Sequence, residues 1–403
     1  MITRDDVLAA HSRIRAHIRR TPTVQVAAPS TPLWIKCEFM QYTGCFKARG
    51  ALNRVMAAQE LGELDPQVGI VAASGGNAGL ANAYAAARVG VPATVFVPET
   101  APPVKVARIL AYGAEVRRVG TEYAEAYTAA IDFAEQSGAV FCHAYDQIEV
   151  AAGAGTLVDE TIDDEPSIET VIVAVGGGGL LAGVLAGLDG RAQVVAVEPT
   201  AAPTLNAALR AGTPVDVSVS GIAADSLGAR RVGQIAFDVA RRFGVESVLV
   251  DDSAIISARE QLWNEYRIVA EHGAAAAYAA LSSGVYAPSR DERVAVLISG
   301  ANTAPATLAT GGSRSGRAGN LGVSVPPSLG TNASGASGGI HVSSADQNHH
   351  CVEPGLSRSR NAGRKTATRP STSIGSDNAR NVACSPAASA SGPAMISPSG
   401  PAA

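Results

Sequence analysis

From Gly69 to Ser299 the chain returns repeatedly to a short run rich in β-branched residues, and a helix-length, alanine-rich stretch separates most runs from the next. The runs are GIVAAS (Gly69 to Ser74), ATVFVP (Ala93 to Pro98), EVRRVG (Glu115 to Gly120), AVFCHA (Ala139 to Ala144), TVIVAV (Thr170 to Val175), QVVAVE (Gln193 to Glu198), ESVLVD (Glu246 to Asp251) and RVAVLIS (Arg293 to Ser299). Parallel strands need a long crossover, and helices covering both faces of their sheet make them apolar throughout. The alternation therefore predicts an α/β fold of parallel sheets with flanking helices. About eight strands spread over roughly 300 residues suit two α/β domains better than one. Ligands in such folds sit beyond the carboxyl ends of the strands. Ahead of the alternation, Val7, Leu8, Ile14 and Ile18 make an apolar stripe that predicts a helix from Asp5 to Ile18, capped by Thr3.

The pattern stops near residue 304. From Ala304 to Ala403 no Phe, Trp or Tyr occurs, Ser, Gly, Ala and Pro take over, and eight Lys and Arg stand against three Asp and Glu. Such a segment cannot build a core, so residues 304–403 are expected to form a low-complexity, disordered, mildly basic tail. With a net charge of -4 and 17% charged residues, the chain lacks the basic footprint of a nucleic-acid binder. No window reaches the roughly eighteen apolar residues of a membrane span, and Met1 to Arg20 mixes charges into what would be a signal-peptide core. The expectation is a cytoplasmic protein with a small-molecule partner and neither nucleic acid nor membrane. Cys37, Cys45, Cys142, Cys351 and Cys384 show no CxxC or metal-ligand spacing, so neither disulfides nor a metal site is expected.

Four segments carry chemistry. Gly176 to Gly179 follow a buried strand and open the helical stretch LLAGVLAG, so backbone N–H groups converge at a helix N-terminus as in a phosphate cradle. A tight turn would need one or two glycines. A dinucleotide reading stays open, because Gly177, Gly179 and Ala182 fit GxGxxA and Glu198 ends the next strand. In KCEFMQYTGCFKARGA (Lys36 to Ala51), Lys47 begins a helix, where the dipole and desolvation against Phe46 lower its pKa, as a Schiff-base or general-base lysine requires. A solvated helix lysine is the bland alternative. SGGNAG (Ser74 to Gly79) exposes N–H groups beside a hydroxyl and an amide and suits a carboxylate or a ring oxygen; a plain cap by Ser74 competes. Ser299 ends the last strand in LISGANT, where strand ends face the ligand.

Taken together these segments resemble the fold type II pyridoxal-phosphate enzymes, in the branch of the serine/threonine dehydratases (threonine ammonia-lyases) and serine racemases. The resemblance runs from Arg20 to about Thr303. It is carried by RTP at Arg20 to Pro22, the Lys47 segment, SGGNAG, AGAGT at Ala152 to Thr156, VGGGGLLAG at Val175 to Gly183, VEP at Val197 to Pro199, and LISGANT. It implies a two-domain, tryptophan synthase β-like fold, with residues 1–66 and 147–303 as the large cofactor-binding domain and 67–146 as the small one. It implies pyridoxal 5'-phosphate on Lys47, flanked by Phe46. Asn77 would approach the ring hydroxyl, Gly176, Gly177, Gly178 and Gly179 with Leu180 the phosphate, and Ser299 the pyridine nitrogen. Ser74, Gly75, Gly76, Asn77 and Ala78 would bind the substrate carboxylate.

The activity so implied is β-elimination on L-threonine or L-serine, giving a 2-oxo acid and ammonia, by a homodimer. An amino-acid racemase or β-replacement enzyme on the same fold is the alternative, and a non-catalytic cofactor- or nucleotide-binding protein a further one. The racemase branch has a serine where this chain has Gly75, which argues against racemisation. Other departures are Cys45 for Ser, Ala78 for His, Ala154 for Gln, and Thr204 in place of a carboxylate near VEP, so no bound magnesium is expected.

Overall fold

The computed structural model describes residues 1–27 and 31–304, and the expected disordered tail lies, but for Ala304, outside the described residues. Ten strands occur among them: β1 (Thr23–Val26), β2 (Leu33–Lys36), β3 (Ile70–Ala73), β4 (Ala93–Val97), β5 (Glu115–Arg118), β6 (Val140–Phe141), β7 (Thr170–Ala174), β8 (Gln193–Pro199), β9 (Glu246–Val250) and β10 (Val294–Leu297). They form a six-stranded sheet in the order β1-β2-β10-β7-β8-β9 and a four-stranded sheet in the order β5-β4-β3-β6. Every pairing is parallel except β1 with β2. The architecture is the α/β fold with flanking helices that the alternation predicts.

All eight expected strands are present, and two further ones, β1 and β2, precede them. Their signal is weak because TVQV buries none of its four residues, whereas LWIK is buried throughout yet ends in a lysine. AVFCHA pairs for only two residues. Beyond Cys142 the His143 ring nitrogen Nδ1 accepts the N–H groups of Tyr145 (3.1 Å) and Asp146 (2.8 Å), which turns the chain out of the sheet. The first helix runs Arg4–Ile14, shorter than expected, with Thr3 and Asp6 forming a reciprocal capping box. It stops because Arg15 to His17 close a tighter turn, with the N–H of His17 on the carbonyl of Ile14.

Small residues let the helices approach closely. A Cβ on Gly155 would lie 2.4 Å from the carbonyl oxygen of Gly183, and one on Gly183 would lie 2.1 Å from that of Ala151. The AGAGT and LLAG segments are thus the contact between the Ile148–Asp164 and Gly179–Leu188 helices.

Beneath the Lys47–Glu60 helix lies an ion network with almost no solvent contact. The Arg49 guanidinium donates to Glu38 (2.9 and 2.8 Å) and to both oxygens of Glu160 (2.8 Å each), while Lys36 Nζ donates to Glu160 at 2.8 Å and to the Thr21 carbonyl at 2.7 Å. Two cations meet two carboxylates, and every charge is matched. The network ties the start of that helix to β2, to the turn after it and to the Ile148–Asp164 helix.

Candidate active site

Two loops that leave neighbouring parallel strands build the floor of the site. The loop after β2 carries Cys45, Phe46 and Lys47, and the loop after β10 carries Ser299 and Gly300. Backbone bonds lace them together, from Phe46 N–H to the Ser299 carbonyl (3.0 Å) and from Ala301 N–H to the Gly44 carbonyl (3.0 Å), with a bridge between Cys45 and Gly300.

Lys47 is the first residue of its helix. Its ammonium donates to the carbonyl of Ala144 at 3.2 Å and lies 5.0 Å from the centre of the Phe46 ring. Burial pulls the Lys47 pKa below the ordinary lysine range, although the acids Cys45 and Glu271 nearby oppose it. Ser299 is buried beside it, and its hydroxyl has no hydrogen-bond partner among the described residues.

The Gly176–Gly179 turn stands at the other end of the same cleft. Among the described residues no protein acceptor takes the backbone N–H of Gly176, Gly177, Gly178, Gly179 or Leu180, although four of these five residues are buried. Buried donors in a folded chain are almost always satisfied, so this cluster at the N-terminus of the Gly179–Leu188 helix is built for an anion. Tyr145 packs against it so closely that a Cβ on Gly177 would come within 2.4 Å of the Tyr145 ring.

Phe46, Lys47, Asn77, Gly176 to Gly179, Leu180 and Ser299 all line one cleft with about 480 Å³ of empty space. Ala78 lines an adjoining hollow with Phe46 and Lys47, and Gly75, Gly76 and Asn77 line a wider cleft next to it. Ser74 begins that turn. Its hydroxyl accepts the N–H of Gly76 at 3.2 Å and so braces the turn, while the Asn77–Val89 helix has Gly76 at its N-cap and no side-chain cap, so Ser74 is not the helix cap that the plain reading expects. Gly75 has no positive φ, and a Cβ there would meet only ordinary contacts, the nearest being Ala101 at 3.5 Å.

Three residues in the site escape sequence reasoning. Glu271, at the start of the His272–Ser282 helix, caps nothing with its side chain; its carboxylate accepts the Asn77 amide at 2.9 and 3.1 Å. Burial raises the Glu271 pKa, against the lowering effect of Asn77 and Lys47. Asn302 donates to Asn77 Oδ1 at 2.8 Å, which fixes the orientation of that amide. Tyr145 forms a wall of the cleft. No local pattern in the sequence marks Glu271, since its burial and its pairing with Asn77 arise only in the fold.

Glu198, the acid of the VEP segment, accepts from the Thr204 hydroxyl (3.0 Å) and from the N–H groups of Leu205 (2.7 Å) and Asn206 (2.8 Å). Its oxygens are spent on the start of the Thr204–Ala211 helix.

The arrangement offers an anion cradle, an amine of lowered basicity and a neutral hydroxyl, spaced around one cleft. Pyridoxal phosphate carries a phosphate, an aldehyde and a ring nitrogen, and this donor set fits it. The family model for pyridoxal-phosphate dependent enzymes matches residues 14–300. An L-threonine ammonia-lyase of Geobacter sulfurreducens is 37% identical over 279 residues, which cover 68% of this chain and 69% of that protein. Among solved structures, maize serine racemase is similar with a TM-score of 0.70 at 28% identity, over 76% of this chain and 95% of that one. The processed form of threonine deaminase isoform 2 from Solanum lycopersicum is similar with a TM-score of 0.69 at 28% identity, over 77% of this chain and 89% of that one. The chain therefore belongs to the pyridoxal-phosphate dependent enzymes, in the fold type II branch of the serine/threonine dehydratases and serine racemases, and pyridoxal phosphate is its cofactor.

Proposed function

We propose that this enzyme removes water and ammonia from L-threonine or L-serine to give a 2-oxo acid. The observation that carries the reading is Lys47: an amine of lowered pKa in one cleft with an unpaired anion cradle and with Asn77, beside the cleft that Gly75 and Gly76 line.

In this reading the N–H groups of Gly176 to Leu180 hold the cofactor phosphate, Phe46 flanks the ring, and Asn77, its amide set by Glu271 and Asn302, faces the ring hydroxyl. Ser299 meets the ring nitrogen. A neutral hydroxyl there does not hold that nitrogen protonated as a carboxylate would, which favours rapid elimination over transamination. Bound pyridoxal phosphate supplies the electron sink that makes loss of a Cα proton accessible. The Lys47 amine, its basicity lowered by burial, would take that proton. The N–H groups of Gly75, Asn77 and Ala78, which have no protein acceptor among the described residues, hold the substrate carboxylate. Gly75 presents no acid or base to the face opposite Lys47, so the reading favours elimination over racemisation.

Residues 67–146, which contain β3 to β6, are read as the smaller domain, and 1–66 with 147–303 as the larger. The family resemblance supports a homodimer working in the cytoplasm; among the described residues no helix is long and apolar enough to cross a membrane.

The test is 2-oxo acid formation by the holoenzyme from L-threonine and L-serine without an added nucleophile. Absence of product from both, or D-serine accumulating faster than pyruvate, would sink the reading. The cradle is tested separately by Gly177→Ala. Overpacking against Tyr145 costs about 1–3 kcal/mol, so pyridoxal phosphate should bind roughly tenfold more weakly. An unchanged absorbance titration of the apoenzyme would count against the cradle.

A further inference from the structure

A wide, solvent-open cleft lies beside the cofactor cleft and shares Asn77 with it. Gly75, Gly76 and Asn77 line one wall. Lys105 and Arg108, from the Pro103–Leu110 helix, line another, and Asp225 faces them. Lys105 is bonded to Asp225, so those two charges cancel. Arg108 differs. Its one polar partner among the described residues is the neutral side-chain oxygen of Asn302, at 3.2 Å from Nη1.

A guanidinium has five N–H donors in a fork that matches a carboxylate. Arg108 therefore brings an unmatched positive charge and spare donors to a cleft whose neighbouring loop already has N–H groups for a substrate's α-carboxylate. It is also tethered to that loop, because Asn302 donates in turn to Asn77 Oδ1 at 2.8 Å and to the Thr43 carbonyl at 2.8 Å. The hydroxyl of serine and the methyl of threonine have no use for such a cation. A carboxylate on Cβ does.

We infer that Arg108 selects substrates with a second carboxylate on Cβ, so that the preferred β-hydroxy amino acid is 3-hydroxyaspartate. The inference rests on the dehydratase reading above. The reaction balances without a further reactant. The Cα–H and Cβ–O bonds break, water leaves as the carbon–carbon double bond forms, and hydrolysis of the resulting enamine returns one water and releases ammonia, leaving oxaloacetate.

The experiment compares kcat/KM of the holoenzyme for both diastereomers of 3-hydroxyaspartate, for L-serine, L-threonine and phenylserine, in the unmodified chain, Arg108→Ala and Arg108→Lys. One diastereomer should exceed L-serine by roughly tenfold or more, and Arg108→Ala should lower that ratio by roughly tenfold, with Arg108→Lys retaining part of it. L-Aspartate and L-alanine, which have no β-hydroxyl to lose, give a readout without turnover: calorimetry should find L-aspartate the tighter binder, and Arg108→Ala should erase the preference. A preference for serine or phenylserine overturns the inference. So does an equal fall for all substrates in Arg108→Ala, which would put Arg108 on the α-carboxylate, or an unmoved ratio, which would make it a solvated helix residue. If no substrate yields a 2-oxo acid, the dehydratase reading fails, and the L-aspartate preference alone still decides what Arg108 recognises.

Discussion

Lys47→Ala abolishes covalent retention of the cofactor and lowers elimination by roughly a thousandfold or more, the loss expected when one group supplies both the attachment and the proton transfer. The chain has four lysines. Lys36 is locked under the helix by Glu160 and Thr21, and Lys105 is held by Asp225. Among the described residues no other amine reaches the cleft. Mass spectrometry after borohydride reduction checks this: the unmodified protein should carry the cofactor mass on the peptide containing Lys47, and the variant should carry none. A reduced adduct on a different lysine of the variant would remove the basis for the assignment.

Glu160→Gln should destabilise the fold by about 3–5 kcal/mol, because it leaves two buried cations against one carboxylate. The change is nearly isosteric, so the loss measures charge and hydrogen bonding more than packing. Burial alone would raise the Glu160 pKa, but the bonds from Arg49 and Lys36 outweigh it and leave the carboxyl below its ordinary range. An acid held that way contributes stability that is present above its unfolded pKa and is lost as pH falls through its folded one. Urea midpoints of the unmodified protein should therefore fall as pH drops below the ordinary carboxylate range. The gap to Glu160→Gln should narrow over the same window, and a gap that stays constant down to acid pH would show that the carboxylate charge is not what the variant removes.

That network explains part of what makes the chain readable. Thr21, Lys36, Glu38 and Arg49 fall in the RTP and KCEFMQYTGCFKARGA segments, and in the structure they hold the Lys47 helix on the sheet instead of meeting ligand. AGAGT likewise is a helix contact. Motif residues thus divide between those that line the cleft and those that support it, and the sequence alone does not sort them: nothing in SGGNAG announces that the Ser74 hydroxyl braces its own loop. Strands were legible wherever burial on both faces imposed an unbroken β-branched run. β1 and β2 were not, since one is a short, half-exposed edge and the other ends in a lysine whose burial depends on Glu160, 124 residues away. Glu271 was invisible for the same reason. Its partner Asn77 lies 194 residues from it, and no local pattern carries a pairing of that length.

The last strand in chain order among the described residues, β10, sits in the middle of its sheet, between β2 and β7. Until residues 294–297 have been made and have docked, the β1–β2 ribbon and the β7–β9 block share no strand, and Phe46 has no Ser299 carbonyl to bond. Closing that seam brings together segments more than 250 residues apart, a long-range step that ordinarily makes folding slow. The two ends of the cofactor cleft therefore mature on different schedules. The glycine cradle can form within the β7–β8 unit as soon as that unit folds, whereas the loops bearing Lys47 and Ser299 gain their mutual support only at the end. A folding chain should accordingly be able to hold a phosphate before it can hold the whole coenzyme.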